Sequence, residues 1–431
     1  MKCFNISLRR SWNKAEFHNS LKTPKPNQTL RWHLESNSHT KVLLLFKSFL
    51  RNRQTFKSID SFSFLYALKA CNHKHSSIQG KQLHAHIIKF GFQAIVQLQT
   101  CLLNMYARSG NLCDAHQVFD EMPVKNNVAW TSLISAYVDN HKPVKALELF
   151  RLMQSNNVEP DQVTVTVALS ACAQTGTLDM GEWIHSFVRR KQGLNRRDLC
   201  LDNAIINMYA KCGDIVTARK LFDSMRNKDV RTWTCMIVGH ALHGQAHEAL
   251  QLFSEMNVKR DKENWNPVIT PNDVTFIGVL MACSHAGLVE EGKRHFTSMS
   301  EDYGIQPREP HFGCMVDLLC RGGHLRDAYD FIMEMPVPPH AVVWRTLLGA
   351  CSLHGELELA AEVRHRLLKL DPVYVGDSVA MSNIYAKKGM WNKKVIVRKQ
   401  IKQPRRAPGC SSVEVGSGVS EFVTAEDDHP F

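Results

Sequence analysis

The sequence predicts an all-α chain, a right-handed superhelical solenoid of helix-turn-helix repeats, on three observations. Residues 103–122, LNMYARSGNLCDAHQVFDEM, return almost unchanged at 206–225 as INMYAKCGDIVTARKLFDSM. The same spacing carries Trp130-Thr131-Ser132-Leu133-Ile134 to Trp233-Thr234-Cys235-Met236-Ile237. Lys69-Ala70-Cys71 likewise has counterparts in Ser170-Ala171-Cys172 and Met281-Ala282-Cys283. A period near 100 residues, subdividing into segments of about 31–36, marks stacked units rather than one globular core.

Residues 127–161 show how each unit is made. Trp130, Leu133, Ile134 and Tyr137 fall at helical spacing and form one apolar stripe; Ala146, Leu147, Leu149, Phe150 and Met153 form a second. Between them Asp139-Asn140-His141-Lys142-Pro143 stops one helix and restarts the next, with Pro143 suited to a first helical turn. Val158-Glu159-Pro160-Asp161 breaks the chain before the following unit. Neither helix of such a hairpin can bury its stripe alone, so neighbours stack.

The net charge of +12 is unevenly spread. Residues 1–59 hold twelve Lys and Arg against Glu16 and Glu35, whereas the remainder holds 41 basic against 39 acidic residues. A near-neutral body that binds nucleic acid must rely on base-directed contacts as well as phosphate attraction. Residues 1–38 carry Arg9, Arg10, Lys14, Lys22 and Lys25 with few acids, the composition of an organellar transit peptide or a disordered basic arm. No apolar run approaches the roughly 18–20 residues of a membrane span, so no membrane partner is expected. The chain has thirteen cysteines and no C-x-x-C. Cys71, Cys172 and Cys283 each follow an alanine at one repeat phase, which suits reduced, buried thiols.

Particular strings identify a family resemblance. NVAWTSLISAY, KALELFRLM and VEPDQVTVTVALSACAQTGTLDMGEWIHSFV strongly resemble the pentatricopeptide repeat proteins of land plants, in the mixed subclass that rotates standard, long and short motifs. The W-x2-L-G-x2-Y pattern of tetratricopeptide repeats is absent. In that frame a worn standard motif occupies 39–60, a long one 61–95, a short one 96–126 and a standard one 127–161. The cycle repeats as long 162–198, short 199–229 and standard 230–272, then long 273–308 and short 309–340. An insertion at 257–269 reads as an exposed loop, with RNA contact through Trp265 the alternative. AVVWRTLLGACSLHGELELA resembles the subclass's first extension motif (341–373), and DSVAMSNIYAKKGMWNKKVIVRK its second (374–409). Residues 410–431, PGCSSVEVGSGVSEFVTAEDDHPF from Pro408 on, resemble the start of the E-plus segment.

Longer members of that subclass continue into a zinc deaminase ending in Asp-Tyr-Trp. Its chemistry needs an H-x-E and a later C-x-x-C. His354-Gly355-Glu356 matches the first half, but only Cys410 follows it, so the match is expected to be fortuitous. No phosphate loop or nucleophile elbow occurs either. We therefore expect no catalytic residues, no metal and no cofactor. His84 and His185 recur at one phase and are expected to pack or cap.

The resemblance implies that bases are read by the fifth and last residues of a motif. These are Thr100 and Asn126, Thr131 and Asp161, Asn203 and Asp229, and Thr234 and Asn272. The family code assigns them adenine, guanine, uracil and adenine. Long motifs place Leu65, Thr166 and Ile277 at the fifth position, and the last short motif offers Gly313 and His340; none is assigned a base. The plain alternative is helix capping by the terminal Asn and Asp residues. The expected ligand is single-stranded RNA with core A-G-n-U-A, not DNA. The expected function is site recognition for organellar C-to-U editing, with a DYW-type deaminase and other editing-complex proteins engaged through the extension motifs. An RNA splicing, stability or translation factor, or a protein-only scaffold, are the alternatives. Mitochondrion is the expected compartment, chloroplast the alternative. The run from Lys387 to Arg406, nine basic residues and no acid, reads as a solvated face, with RNA or protein contact as the alternative.

Overall fold

The computed structural model describes residues 26–71, 77–192, 198–258, 269–399, 401, 410–415 and 418–423. Residues 1–25, and 259–268 of the expected insertion with Trp265, lie outside them. Among the described residues no helix is long and apolar enough to cross a membrane.

The chain divides into two compact units at Ala282/Cys283. In the first, helices alternate between a first and a second layer. The first layer comprises α1 (Pro26–Glu35), α4 (Ser61–Cys71), α6 (Val96–Arg108), α8 (Asn127–Asp139), α10 (Gln162–Thr175), α12 (Leu199–Cys212) and α14 (Val230–Leu242). Each of these packs on the next in that order. The second layer comprises α2 (His39–Arg51), with the short α3 (Arg53–Phe56), then α5 (Ser77–Lys89), α7 (Leu112–Asp120), α9 (Pro143–Ser155), α11 (Leu178–Gln192), α13 (Ile215–Ser224) and α15 (Ala246–Val258). From α5 to α13 each also packs on the first helix of the following unit. The apolar stripes account for this. Trp130 is 1% exposed and lies edge-on to Phe119 at 4.7 Å; Trp233 repeats the contact on Phe222 at 5.0 Å.

The small residues predicted between helices are where they should be. Cys71, Cys172 and Cys283 are buried, and burial pushes their thiols up to about 12. A recurrent hydrogen bond joins His84 Nδ1 to Tyr106 Oη at 2.9 Å and His185 Nδ1 to Tyr209 Oη at 3.0 Å. Those histidines pack between a second helix and the next first helix.

Two expectations need correction here. The disordered arm cannot reach residue 38, because α1 is a packed helix whose Leu30 is fully buried and which contacts α4. Its basic, acid-poor composition masked an amphipathic turn. The worn motif placed at 39–60 is accordingly the second half of a hairpin that begins in α1. The first two residues of the expected insertion, Asn257 and Val258, are the last turn of α15.

The last first-layer helix, α16 (Asp273–Ala286), crosses into the second unit. That unit contains α17 (Val289–Glu301), α18 (Glu309–Arg321), α19 (Leu325–Met333), α20 (Ala341–His354), α21 (Leu357–Leu370), α22 (Val375–Lys387) and α23 (Trp391–Lys399). Trp344, Leu347, Leu348, Val363 and Met381 lie in one buried cluster that joins the extension motifs to α18 and α19. An antiparallel hairpin, β1 (Cys410–Val415) with β2 (Gly418–Val423), pairs Cys410 with Val423 and Val415 with Gly418. The other regular elements of the described residues are helices, as the all-α expectation has it. In β1, Ser412-Val413-Glu414-Val415 alternates polar and apolar residues, a strand signal.

Candidate nucleic-acid interface

The terminal residue of each unit assigned a base is the N-cap of the next first helix. Asn126 accepts the Ala129 N–H at 2.9 Å, Asp161 that of Thr164 at 2.8 Å, Asp229 that of Thr232 at 2.9 Å and Asn272 that of Thr275 at 2.9 Å. Capping is therefore real at all four positions, worth about 1 kcal/mol each.

Three of the four caps are also tied to the fifth residue of their own unit. Thr164 Oγ1 donates to Asp161 Oδ1 at 2.7 Å and lies 2.6 Å from Thr131 Oγ1. Thr275 Oγ1 donates to Asn272 Oδ1 at 2.9 Å and lies 2.7 Å from Thr234 Oγ1. At the third junction contact is direct: Asn203 Nδ2 donates to Asp229 Oδ1 at 3.0 Å. There Thr232 Oγ1 sits 2.7 Å from Asn203 Oδ1 and 2.8 Å from Asp229 Oδ1. A hydroxyl at the third residue of the following unit thus clamps each pair. Burial raises the pKa of Asp229, but hydrogen bonds from the Thr232 N–H and hydroxyl, from Asn203 and from the Arg231 N–H outweigh it and hold the carboxyl below its ordinary value.

Thr100 and Asn126 are not brought together. Thr100 Oγ1 donates back to Val96 O at 2.9 Å, and Ala129 stands where the clamping hydroxyl would be. A second departure concerns exposure. Thr131 is half-buried, but Asn203 and Thr234 are each only 7% exposed. The clamp turns those two inward under the neighbouring first helix. The more open polar edge at these junctions belongs to Asp229 and Asn272, which are half-buried, as it does to the exposed Asp161.

Apolar residues flank the pairs at another repeated phase. Val128 and Val163, each the second residue of a unit, are 57% and 60% exposed, and both line one open groove of about 680 Å³ with Thr131 and Asp161. Val274 occupies the same phase and is 45% exposed. Polar floor and apolar walls suit a planar group with a hydrogen-bonding edge. Sequence reasoning missed both these valines and the clamps Thr164, Thr232 and Thr275. The clamps were signalled by the pattern D/N-x-x-T, half of a capping box.

Elsewhere the phase is differently occupied. In the long motif after Asp161, Thr166 Oγ1 donates to Gln162 O at 2.8 Å, while the terminal Asp198 is held by Gln162 and the Cys200 N–H. In the first extension motif the fifth residue is Arg345. Its guanidinium pairs with Asp377 at 2.9 Å and Asp371 at 2.7 Å and lies 3.8 Å over the Tyr374 ring. Asp377 is 5% exposed and is the third residue of α22, the clamp's place. An ion pair closes the position that a clamped polar pair occupies upstream.

His354 ends α20, Gly355 adopts a left-handed conformation at φ 78° and Glu356 caps α21, so the H-x-E string is a helix-to-helix turn. Among the described residues no group of three or more His, Cys, Asp and Glu is placed to hold a metal ion.

Family models match several stretches of the chain. A model described as PPR repeat family matches residues 125–174, the PPR repeat model matches 100–127, 203–230, 231–260 and 311–337, and the E motif model matches 354–414. A pentatricopeptide repeat-containing protein of Arabidopsis thaliana is 36% identical over 438 residues, covering 94% of this chain and 80% of its own length. The chain belongs to the pentatricopeptide repeat family. Another Arabidopsis pentatricopeptide repeat protein, described as chloroplastic/mitochondrial, is 38% identical over 400 residues, 90% of this chain and 61% of the relative. The chain spans 43% to 51% of three further relatives. Among solved structures, the pentatricopeptide repeat protein PPR10 in complex with an 18-nt psaJ RNA element shares the fold, with a TM-score of 0.68 over 90% of this chain and 57% of that one at 14% identity.

Proposed function

We propose that this pentatricopeptide repeat protein is a sequence-specific single-stranded RNA-binding protein that recognises sites of organellar C-to-U editing and recruits a DYW-type deaminase in trans. The observation that carries RNA reading is the clamp geometry. Thr131–Asp161, Asn203–Asp229 and Thr234–Asn272 recur at one phase of the first helices α8, α12 and α14, and the groove at the first of them has apolar walls.

The chemistry of the terminal residue supports the assigned bases. A carboxylate only accepts, so Asp161 and Asp229 match bases with a ring N–H on the Watson–Crick edge, guanine and uracil. At Asn272 the Thr275 N–H fixes Oδ1 at the cap, leaving Nδ2 free to donate to a ring nitrogen lone pair, as adenine offers. Thr100 and Asn126 complete the core A-G-n-U-A through the same residue types without a clamp. Placement of the final short motif four nucleotides before an edited cytidine gives the target A-G-n-U-A-n-n-n-n-n-C. The extension motifs, matched as an E motif, are the surface we assign to the deaminase and other editing-complex proteins. The mitochondrion is our first choice of compartment, and the chloroplast the alternative.

Gel-shift titration with that RNA, against one whose purines are exchanged, tests the reading. Tighter binding of the first is expected, and equal affinity overturns it. Sequencing organellar transcripts from plants lacking the protein tests the editing role: loss of one or a few edited sites supports it, and altered splicing or stability with editing intact overturns it.

A further inference from the structure

The three-residue clamp at Asn203, Thr232 and Asp229 has a twin at the start of the fold. Asn27 Nδ2 donates to the Asp60 carboxylate, 3.0 Å from Oδ1 and 2.9 Å from Oδ2. Ser63 Oγ donates to Asn27 Oδ1 at 2.6 Å, and the Ser63 N–H caps onto Asp60 Oδ1 at 3.0 Å. Apart from the contact of Asn27 with the second carboxylate oxygen, this repeats the other site: amide nitrogen to carboxylate, hydroxyl to amide oxygen, backbone N–H to carboxylate. The return contact is also shared, since the Asp60 N–H reaches Ser63 Oγ at 3.3 Å as the Asp229 N–H reaches Thr232 Oγ1 at 3.1 Å. The carboxyl groups respond alike. Burial raises the pKa of Asp60, and hydrogen bonds from Asn27, Ser63 and the Phe62 N–H outweigh it.

The flank is equivalent too. Phe62, the second residue of α4, is 58% exposed at the phase of Val163 and Val274. Asn27 and Asp60 are both half-buried, so this pair is less enclosed than Asn203. The placement of Asn27 does not depend on residues 1–25, because Leu30 is fully buried and α1 packs on α4.

We propose that Asn27 and Asp60 form a further base-reading pair, specific for uracil, two nucleotides upstream of the first adenine. This rests on the reading above and extends its RNA to U-n-A-G-n-U-A. The base follows from chemistry shared with Asn203–Asp229: an acceptor-only edge that matches the uracil ring N–H and opposes the cytosine ring nitrogen. The intervening long motif, with Leu65 at its fifth position, supplies the unread nucleotide.

Four RNAs in a competition gel shift decide it with the full chain: the extended RNA, the same with its first U changed to C, the same with its core G and U exchanged, and both changes together. The expected result is about a tenfold loss for the first change, as one edge-on contact gives. Asp60→Asn keeps the cap, and its amide should reverse the preference at that nucleotide from U to C while melting unchanged. Loss only on core exchange, with the first nucleotide indifferent in both proteins, overturns this inference and leaves the core reading standing. Indifference to all changes overturns both.

Discussion

At the scale of single residues the clamp makes two separable predictions. Thr232→Val keeps the side-chain shape and removes the hydroxyl, leaving Asn203 Oδ1 without its donor in a site where Asn203 is 7% exposed. An unmet buried acceptor costs about 1–3 kcal/mol, so the melting temperature should fall and discrimination at the uracil should weaken. Wild-type melting and unchanged discrimination would mean the network does not hold the pair. Asp229→Asn acts differently. Asparagine caps about as well as aspartate, so stability should stay within about 0.5 kcal/mol. Its Oδ1 must still accept the Thr232 N–H, which turns Nδ2 outward to donate to cytosine. A shift of preference from U to C in competition binding is expected, and retained U preference sinks the assignment. The clamps were legible in the sequence only as caps for a physical reason: the hydroxyl bonds a partner about one repeat away, while its local D/N-x-x-T pattern signals the cap alone. The terminal Asn and Asp residues were legible because both roles place them at one phase.

At the scale of elements the repeated stripes fixed what could be read. Trp130 and Trp233 announce the first helices because each large apolar side chain needs the preceding second helix to bury against, here at Phe119 and Phe222. Helix α1 was hidden because its ten residues show one fully buried side chain, Leu30, within a basic stretch. Close packing between first helices is testable at Gly239 in α14, where an added Cβ would stand 2.7 Å from the Ala210 Cβ of α12. Neither atom can rotate away, so Gly239→Ala should cost about 1–3 kcal/mol by overpacking, read as a lowered denaturation midpoint; an unchanged midpoint would show that the helices slide apart freely. The histidines predict a pH response. Burial lowers the pKa of His84 and His185 below the ordinary 6.5, with Arg189 adding to the effect at His185. The unfolded chain then binds more protons in the window just below pH 6.5, so stability is complete above it and declines as pH falls through that value towards the depressed folded-state pKa. The melting temperature should drop between pH 7 and pH 5, and His185→Gln should flatten the drop. A flat wild-type profile would contradict half-buried rings held neutral.

At the scale of the whole molecule, charge separates two ways of holding RNA. The basic excess lies in residues 1–59, and the rest of the chain is close to balanced. Its surface lysines and arginines are partly engaged in local pairs such as Lys145–Glu148 and Arg219–Asp223. Single-strand affinity falls with salt in proportion to the phosphates neutralised, with a log–log slope of about −0.7 for each. If base edges supply most of the binding, about two or three neutralised phosphates should suffice, giving a slope of about −1.4 to −2. Affinity for U-n-A-G-n-U-A would then weaken by roughly sevenfold to twentyfold between 50 and 200 mM salt. Discrimination against the purine-exchanged RNA should persist across that range, because edge contacts do not release counterions. A slope steeper than about −5, with discrimination vanishing as salt rises, would identify the backbone as the principal ligand and make the clamped pairs helix caps alone.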